Sequence, residues 1–291
     1  MKNSILTPVS RITGRLLKLM ILVLFPAILY SQTFISDISD PTNGNSNQGP
    51  VATVTGPAAN VGDLVVMFVH YNAATAAITL ANISNTGGQT WVTATTTSGF
   101  NQSVAIFWCQ FNGTWSGAPT VSLAASNTLA LTSSFYVFRP TGSNIQWVIH
   151  NAPANTTSNT AANAITGVAT TATNTVQMAF WSISATSNSW GAATGTGWLQ
   201  TGIGQIRNTY GNDQSMTAAY RISPATAAAS NVSSTKSVAG TALRTIMSWA
   251  EVPTNNLCAN AIPLTSAFTC VTTSNPNSGT KFKSDQSSPF Q

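Results

Sequence analysis

Side chains that could catalyse a reaction are few in this chain of 291 residues, which has six Asp and Glu residues. A glycosidase needs two carboxyl groups facing each other across a cleft. Within the strand-rich part of the chain the acidic residues are Asp63, Asp213 and Glu251. Asp63 follows a glycine before an apolar run, and Asp213 lies in a Gly-Asn-Asp segment, so turn capping is the role that their positions favour.

The two histidines, His70 and His150, each end an apolar run. A Ser-His-acid triad needs an activated serine, and no Gly-x-Ser-x-Gly elbow occurs. Phosphate-binding glycine motifs and an Asp-rich calcium loop are also missing from the sequence. We therefore expect a protein that is not an enzyme and has no cofactor and no metal. A polysaccharide-acting hydrolase with an unfamiliar site remains the catalytic alternative.

Tryptophan offers the best chemistry for recognition, because its ring stacks on apolar faces while its N–H donates a hydrogen bond. Trp115 lies in Asn-Gly-Thr-Trp-Ser-Gly and Trp190 in Ser-Asn-Ser-Trp-Gly, both of which are typical of loops. Loops on a rigid scaffold often carry binding residues. Trp115 and Trp190 are therefore the candidate ligand contacts, and the alternative is that both fold back over the end of the fold. Five others lie in strand-like runs and are predicted to be core: Trp91, Trp108, Trp181, Trp198 and Trp249.

The chain has three cysteines, so three pairings are possible and each leaves one thiol over. Cys109 lies in a strand-like apolar run, where a free cysteine behaves as a small hydrophobic residue. Cys258 and Cys270 are close together near the end of the chain, and we predict a disulfide between them.

The first 32 residues are typical of a secretory signal peptide. Basic residues up to Lys18 precede an apolar run of 11 residues, Leu19 to Leu29, which is shorter than the roughly 20 residues of a membrane-spanning helix. Cleavage is predicted near Ser31 and Gln32, with an uncleaved anchor as the alternative. We thus expect a secreted, extracellular or cell-surface protein with no membrane association after cleavage.

The formal charge of +5 belongs mostly to this N-terminal segment, which holds four of the 11 Lys and Arg residues. The remaining seven oppose six acidic residues, which leaves a net charge of +1. A nucleic-acid partner is therefore not expected, since such proteins carry a basic surface on the folded domain.

The elements that position these side chains are predicted to be strands, because short runs rich in β-branched and aromatic residues alternate with turn residues. The predicted fold class is an all-β, two-layer antiparallel β-sandwich over residues 49–253, after a polar leader at 33–48. In Leu64–Tyr71 both faces are apolar, with Leu64, Val66 and Phe68 on one side and Val65, Met67 and Val69 on the other. Such a strand is central in its sheet and is covered on both sides.

Four strand-like segments recur in order later in the chain, which predicts an internal duplication. Residues 64–71 resemble 175–182, 89–93 resemble 196–200, 103–108 resemble 215–220, and 129–140 resemble 243–253. The respective offsets are 111, 107, 112 and 114 residues. One sandwich built from two similar halves is favoured over two separate sandwiches.

The series Gly62-Asp-Leu-Val-Val, Trp91-Val, Val104-Ala-Ile-Phe-Trp and Phe135-Tyr-Val-Phe-Arg resembles a jelly-roll-type β-sandwich domain of bacterial secreted and phage-associated surface proteins. The resemblance implies a surface or adhesion module and brings no site residues with it. In the tail, residues 254–291, the segment Asn255-Asn-Leu-Cys-Ala-Asn-Ala-Ile-Pro-Leu264 through Cys270 resembles the opening of a second, cysteine-containing secreted module of the Bacteroidetes type, in which the two cysteines usually pair. Only part of such a module is present, so an incomplete module or tail is expected.

These observations together predict a secreted, non-catalytic surface or adhesion module that binds an extracellular glycan or a surface protein. A structural spacer domain within a larger extracellular assembly is the non-binding alternative.

Overall fold

A computed structural model describes residues 32–40, 45–46, 51–72, 78–84, 87–123, 130–185, 188–208 and 214–254. Residues 1–31 of the predicted signal peptide, residues 255–291 of the C-terminal tail with Cys258 and Cys270, and Asp213 lie outside the described residues. Within those ranges, no helix is long and apolar enough to cross a membrane.

β-Strands make up most of the regular structure of the described residues. The strands are β1 (Thr33–Asp40), β2 (Asn45–Ser46), β3 (Val51–Thr53), β4 (Leu64–Tyr71), β5 (Ile83–Ser84), β6 (Val92–Gly99), β7 (Gln102–Gln110), β8 (Thr120–Ser122), β9 (Leu131–Arg139), β10 (Ile145–Ser158), β11 (Ala162–Ile165), β12 (Thr175–Ser184), β13 (Leu199–Asn208), β14 (Gln214–Ser223), β15 (Val232–Thr235) and β16 (Ala242–Pro253). A 3₁₀ turn, Leu80–Asn82, precedes β5. The predicted all-β class is confirmed.

Two large sheets form the sandwich, and a smaller sheet belongs to each half of the chain. One large sheet has the strand order β1-β9-β4-β7-β6, and the other has β10-β16-β12-β14-β13-β2. The small sheets are β3-β8-β5 and β11-β15. All these pairings are antiparallel except that of β2 with β13. The first half of the chain, β1 to β9, therefore has the same plan as the second half, β10 to β16.

Cross-strand register confirms the duplication and corrects two of its predicted offsets. The partners are Ile106 and Ser134 for Phe68, and Ala218 and Thr245 for Phe180. Phe68 and Phe180 both face the apolar side chains between the two large sheets, and with this register they are equivalent, 112 residues apart. The offset of 111 predicted for this strand is therefore wrong by one residue. A slip of one residue exchanges the two faces of a strand. The same comparison gives 111 rather than 114 for β9 and β16, whereas the predicted 112 for β7 and β14 and 107 for β6 and β13 hold.

Three clusters of apolar side chains form the core. The central cluster contains Leu64, Val66 and Phe68 from one large sheet, and Phe68 meets Phe180 of the other at a ring-centroid distance of 4.7 Å. The first outer cluster places Val65, Met67 and Val69 with residues of β3 and β8. All eight residues of β4 are buried, as the two apolar faces of this run predict. A second outer cluster has the corresponding place under β11 and β15.

The predicted polar leader, residues 33–48, contains the edge strand β1, which pairs with β9. Phe34 stacks on Tyr220 of β14 at 4.6 Å, and Ile35 and Ile38 pack against the first outer cluster. The Asp37 carboxylate accepts the backbone N–H of Ile203 at 2.7 Å. This strand needs only a few apolar residues to pack against the sandwich, because an edge strand buries only part of its surface.

Candidate functional site

Trp115 lies in the loop between β7 and β8 and packs onto the first outer cluster. Its ring lies 4.8 Å from Phe111 and 6.2 Å from Phe135, measured between centroids. The indole N–H donates to the carbonyl of Pro57 at 3.0 Å. Packing and a satisfied N–H give this residue a structural role, since a buried indole N–H needs a partner.

Trp190 lies between β12 and β13 and packs onto the second outer cluster. Its indole N–H donates to Ser215 Oγ at 3.0 Å, and its backbone N–H donates to Gln205 Oε1 at 3.1 Å. Its backbone also bridges to Lys236 beside β15. The structure therefore places the two candidate tryptophans in different outer clusters and does not bring them together.

The described carboxylates within the predicted sandwich take part in structural hydrogen bonds. Asp63 is 1% exposed, accepts the backbone N–H of Asn60 at 2.8 Å, and pairs with Arg139 through contacts of 3.1 and 3.2 Å. Turn capping by Asp63 is thus confirmed, and the ion pair with β9 is an addition. Glu251 accepts the backbone N–H of Thr141 at 2.8 Å as well as its hydroxyl.

Two further reactive groups are inaccessible. His70 is fully buried at the end of β4. Cys109 is a free, buried thiol in β7, as predicted, and burial raises its pKa. Among the residues that the structure describes, no group of three His, Cys, Asp or Glu side chains could hold a metal ion.

A groove of about 560 Å³ opens on the second half of the molecule. It is lined by Arg221 and by two loop segments, 195–196 before β13 and 228–231 before β15; we call it the Arg221 groove. The two loop segments are tied together, because Ser230 Oγ donates to the carbonyl of Thr196 at 2.9 Å. Trp198 anchors the same wall from below, since its indole N–H donates to the carbonyl of Ser230 at 3.0 Å.

Arg221 is held in the groove by one of its terminal nitrogens. Nη1 donates to the carbonyl of Ala228 at 3.1 Å and to Gln177 Oε1 at 3.5 Å. Gln177 is in turn held by its own donation to the carbonyl of Val168 at 2.8 Å. The salt bridge found in the described part of the chain joins Asp63 and Arg139, so Arg221 forms no ion pair with a described carboxylate.

Other donors along the groove are uncommitted. Within the described ranges, Thr196 Oγ1 and Asn231 Nδ2 have no protein hydrogen-bond partner, while Asn231 Oδ1 accepts the backbone N–H of Gly167 at 3.0 Å. Hydroxyl, amide and guanidinium donors along a shallow groove are suited to hydrogen-bonding ring hydroxyls or an anionic group. Neither Arg221 nor these loops is predicted to be a site from the sequence.

Comparison of the chain with protein-family models, with curated proteins and with solved structures finds no match.

Proposed function

We propose that the protein is a secreted, non-catalytic surface module that binds an extracellular glycan in the Arg221 groove. One observation carries the proposal: this groove combines open space with uncommitted donors at Arg221, Thr196 and Asn231. Sugars are recognised by hydrogen bonds from side chains that are already positioned, because ordering flexible groups on binding costs free energy.

The groove is preorganised in this sense. Its walls are joined by the Ser230 to Thr196 hydrogen bond, and its floor is fixed by the contacts of Arg221 with Gln177 and Ala228. Small side chains such as Ala228 and Ala229 leave room for a bulky, polar ligand. Of the carboxylates considered for a hydrolase, the two that the structure describes are engaged in the Asp63–Arg139 pair and the Glu251–Thr141 contacts, which supports binding over catalysis.

A glycan array probed with the purified protein tests the proposal, together with attachment of the protein to glycan-coated surfaces. Ala229→Trp places a large ring in the groove at an exposed position, and Ala162→Trp in β11 is a matched exposed control outside it. We expect Ala229→Trp to weaken binding by about tenfold or more, which corresponds to about 1.4 kcal/mol, and Ala162→Trp to leave it unchanged. A folded protein that binds no glycan, or equal binding by both variants, overturns the proposal.

A further inference from the structure

We infer that the Arg221 groove selects acidic sugars, with Arg221 pairing to the carboxylate of a uronic-acid-type residue. This inference rests on the proposed glycan-binding function and adds the chemical class of the ligand. Three observations support it. Two are differences between the halves, at the residue equivalent to Arg221 and in the loop that follows it. The third is the arrangement of the guanidinium donors.

The duplication shows which residues are particular to the second half. Val65 pairs with Cys109 across β4 and β7, and Gln177 pairs with Arg221 across β12 and β14. With the register offset of 112 residues, Cys109 corresponds to Arg221 and Val65 to Gln177. The first pair is buried and apolar, whereas the second is a guanidinium hydrogen-bonded to an amide. Replacing a core pair by polar groups costs burial energy, so the polar pair has no advantage for folding.

The loop that follows the strand of Arg221 also has smaller side chains than its counterpart in the first half. In the first half, the loop between β7 and β8 carries Trp115, whose ring packs on Phe111 and Phe135. In the second half, the loop between β14 and β15 carries three consecutive alanines at 227–229. Two of these alanines, Ala228 and Ala229, line the groove beside Arg221, and their small side chains leave it open.

The donor arrangement at Arg221 suits a carboxylate. Nη1 makes both protein hydrogen bonds, which leaves Nε and Nη2 without a partner among the described residues. These two nitrogens form one edge of the guanidinium plane, the edge that binds a carboxylate through two parallel hydrogen bonds. Gly197 lies beside Arg221, and a Cβ on this residue would come within 3.3 Å of Nε, so glycine adds no side-chain atoms next to this donor. The flanking Thr196 hydroxyl and Asn231 amide then remain for the ring hydroxyls of the same sugar.

The test compares a uronic-acid oligosaccharide, oligogalacturonate, with the same oligosaccharide after reduction of its carboxyl groups. Binding of the full chain to each is measured by titration calorimetry. We expect the acidic form to bind about tenfold more tightly or better, and salt to weaken that preference. Arg221→Gln is expected to abolish the preference for the acidic form. Arg221→Lys retains the charge but not the paired donors, and it is expected to keep only part of the preference.

Arg244→Gln is the matched control, because it removes one positive charge elsewhere on the second half, where Arg244 donates to the carbonyl of Thr157. Thermal unfolding of each variant shows whether it is folded. Equal binding of acidic and neutral forms, or an unchanged preference in Arg221→Gln, refutes the inference and leaves glycan binding standing. Absence of binding to any glycan refutes the proposed function itself. Tighter binding of a short peptide through its C-terminal carboxylate would also refute the inference.

Discussion

The buried side chain of His70 makes the stability of the folded protein depend on pH. His70 is fully buried at the end of β4. Burial lowers the pKa of His70 to about 3, and the nearby Gln102 side chain opposes this to a smaller extent. The folded protein therefore keeps this imidazole neutral, whereas the unfolded chain protonates it below a pKa of 6.5.

Because the folded pKa is depressed, the unfolded state binds the extra proton as pH falls. Stability from this group is complete above pH 6.5 and is lost between pH 6.5 and about pH 3. Each pH unit in that window costs about 1.4 kcal/mol, so lowering the pH from about 7 to about 5 costs roughly 2 kcal/mol. Asp37 and Glu251 act in the opposite direction, because burial raises the pKa of both carboxyl groups.

The assay is urea unfolding at about pH 7 and about pH 5 for the wild type and for His70→Leu. The carboxyl contributions are common to both proteins, so the difference between their pH responses isolates His70. We expect the wild type to lose about 2 kcal/mol more than the variant on acidification. Equal losses would show that the imidazole becomes protonated inside the folded protein, and the reasoning would be refuted.

Three other predictions concern the first half. Asp63→Asn leaves Arg139 without its carboxylate partner and is expected to lower the free energy of unfolding by about 2 kcal/mol. This is less than for a fully buried ion pair, because Arg139 is 41% exposed. Urea unfolding measures the loss, and a loss below about 0.5 kcal/mol would contradict the structural role. Trp115→Ala removes packing on Phe111 and should cost about 3 kcal/mol while glycan binding is unchanged; loss of binding in a folded variant would instead support the predicted ligand contact at this residue. Cys109 should resist thiol reagents at about pH 8 until the protein unfolds, as peptide mapping by mass spectrometry would show, and native-state labelling would contradict its burial.

Strands that bury both faces are the ones that the sequence predicts best. The predicted run at 64–71 coincides with β4, because each of its eight residues contributes to a core. The strands β11 and β15 are not predicted, since they are four residues long and each buries alternate residues only. Local composition does not distinguish such strands from loops, and only the outer cluster that they cover makes them stable.

The candidate site was less accessible to sequence reasoning, although one signal was present. When the alignment of 103–108 with 215–220 is extended by one residue, Arg221 is aligned with Cys109. A charged residue at the position equivalent to a core residue indicates that its side chain is not part of the apolar core. The loops at 195–196 and 228–231 could not be assigned to the same groove, because they lie more than 30 residues apart and meet only through the fold.

The same duplication explains how the second half can carry an open groove. Among the described residues, the first outer cluster contains sixteen buried apolar side chains and the second contains seven. A separate sandwich with so small an outer cluster would bury little apolar surface, and stability scales with that surface. Here the central cluster is shared, so Phe180 and Met178 of the second half pack against residues such as Phe68 of the first half. The first half therefore supplies stability to the second, and the polar pair of Gln177 and Arg221 can be accommodated where the other copy needs Val65 and Cys109.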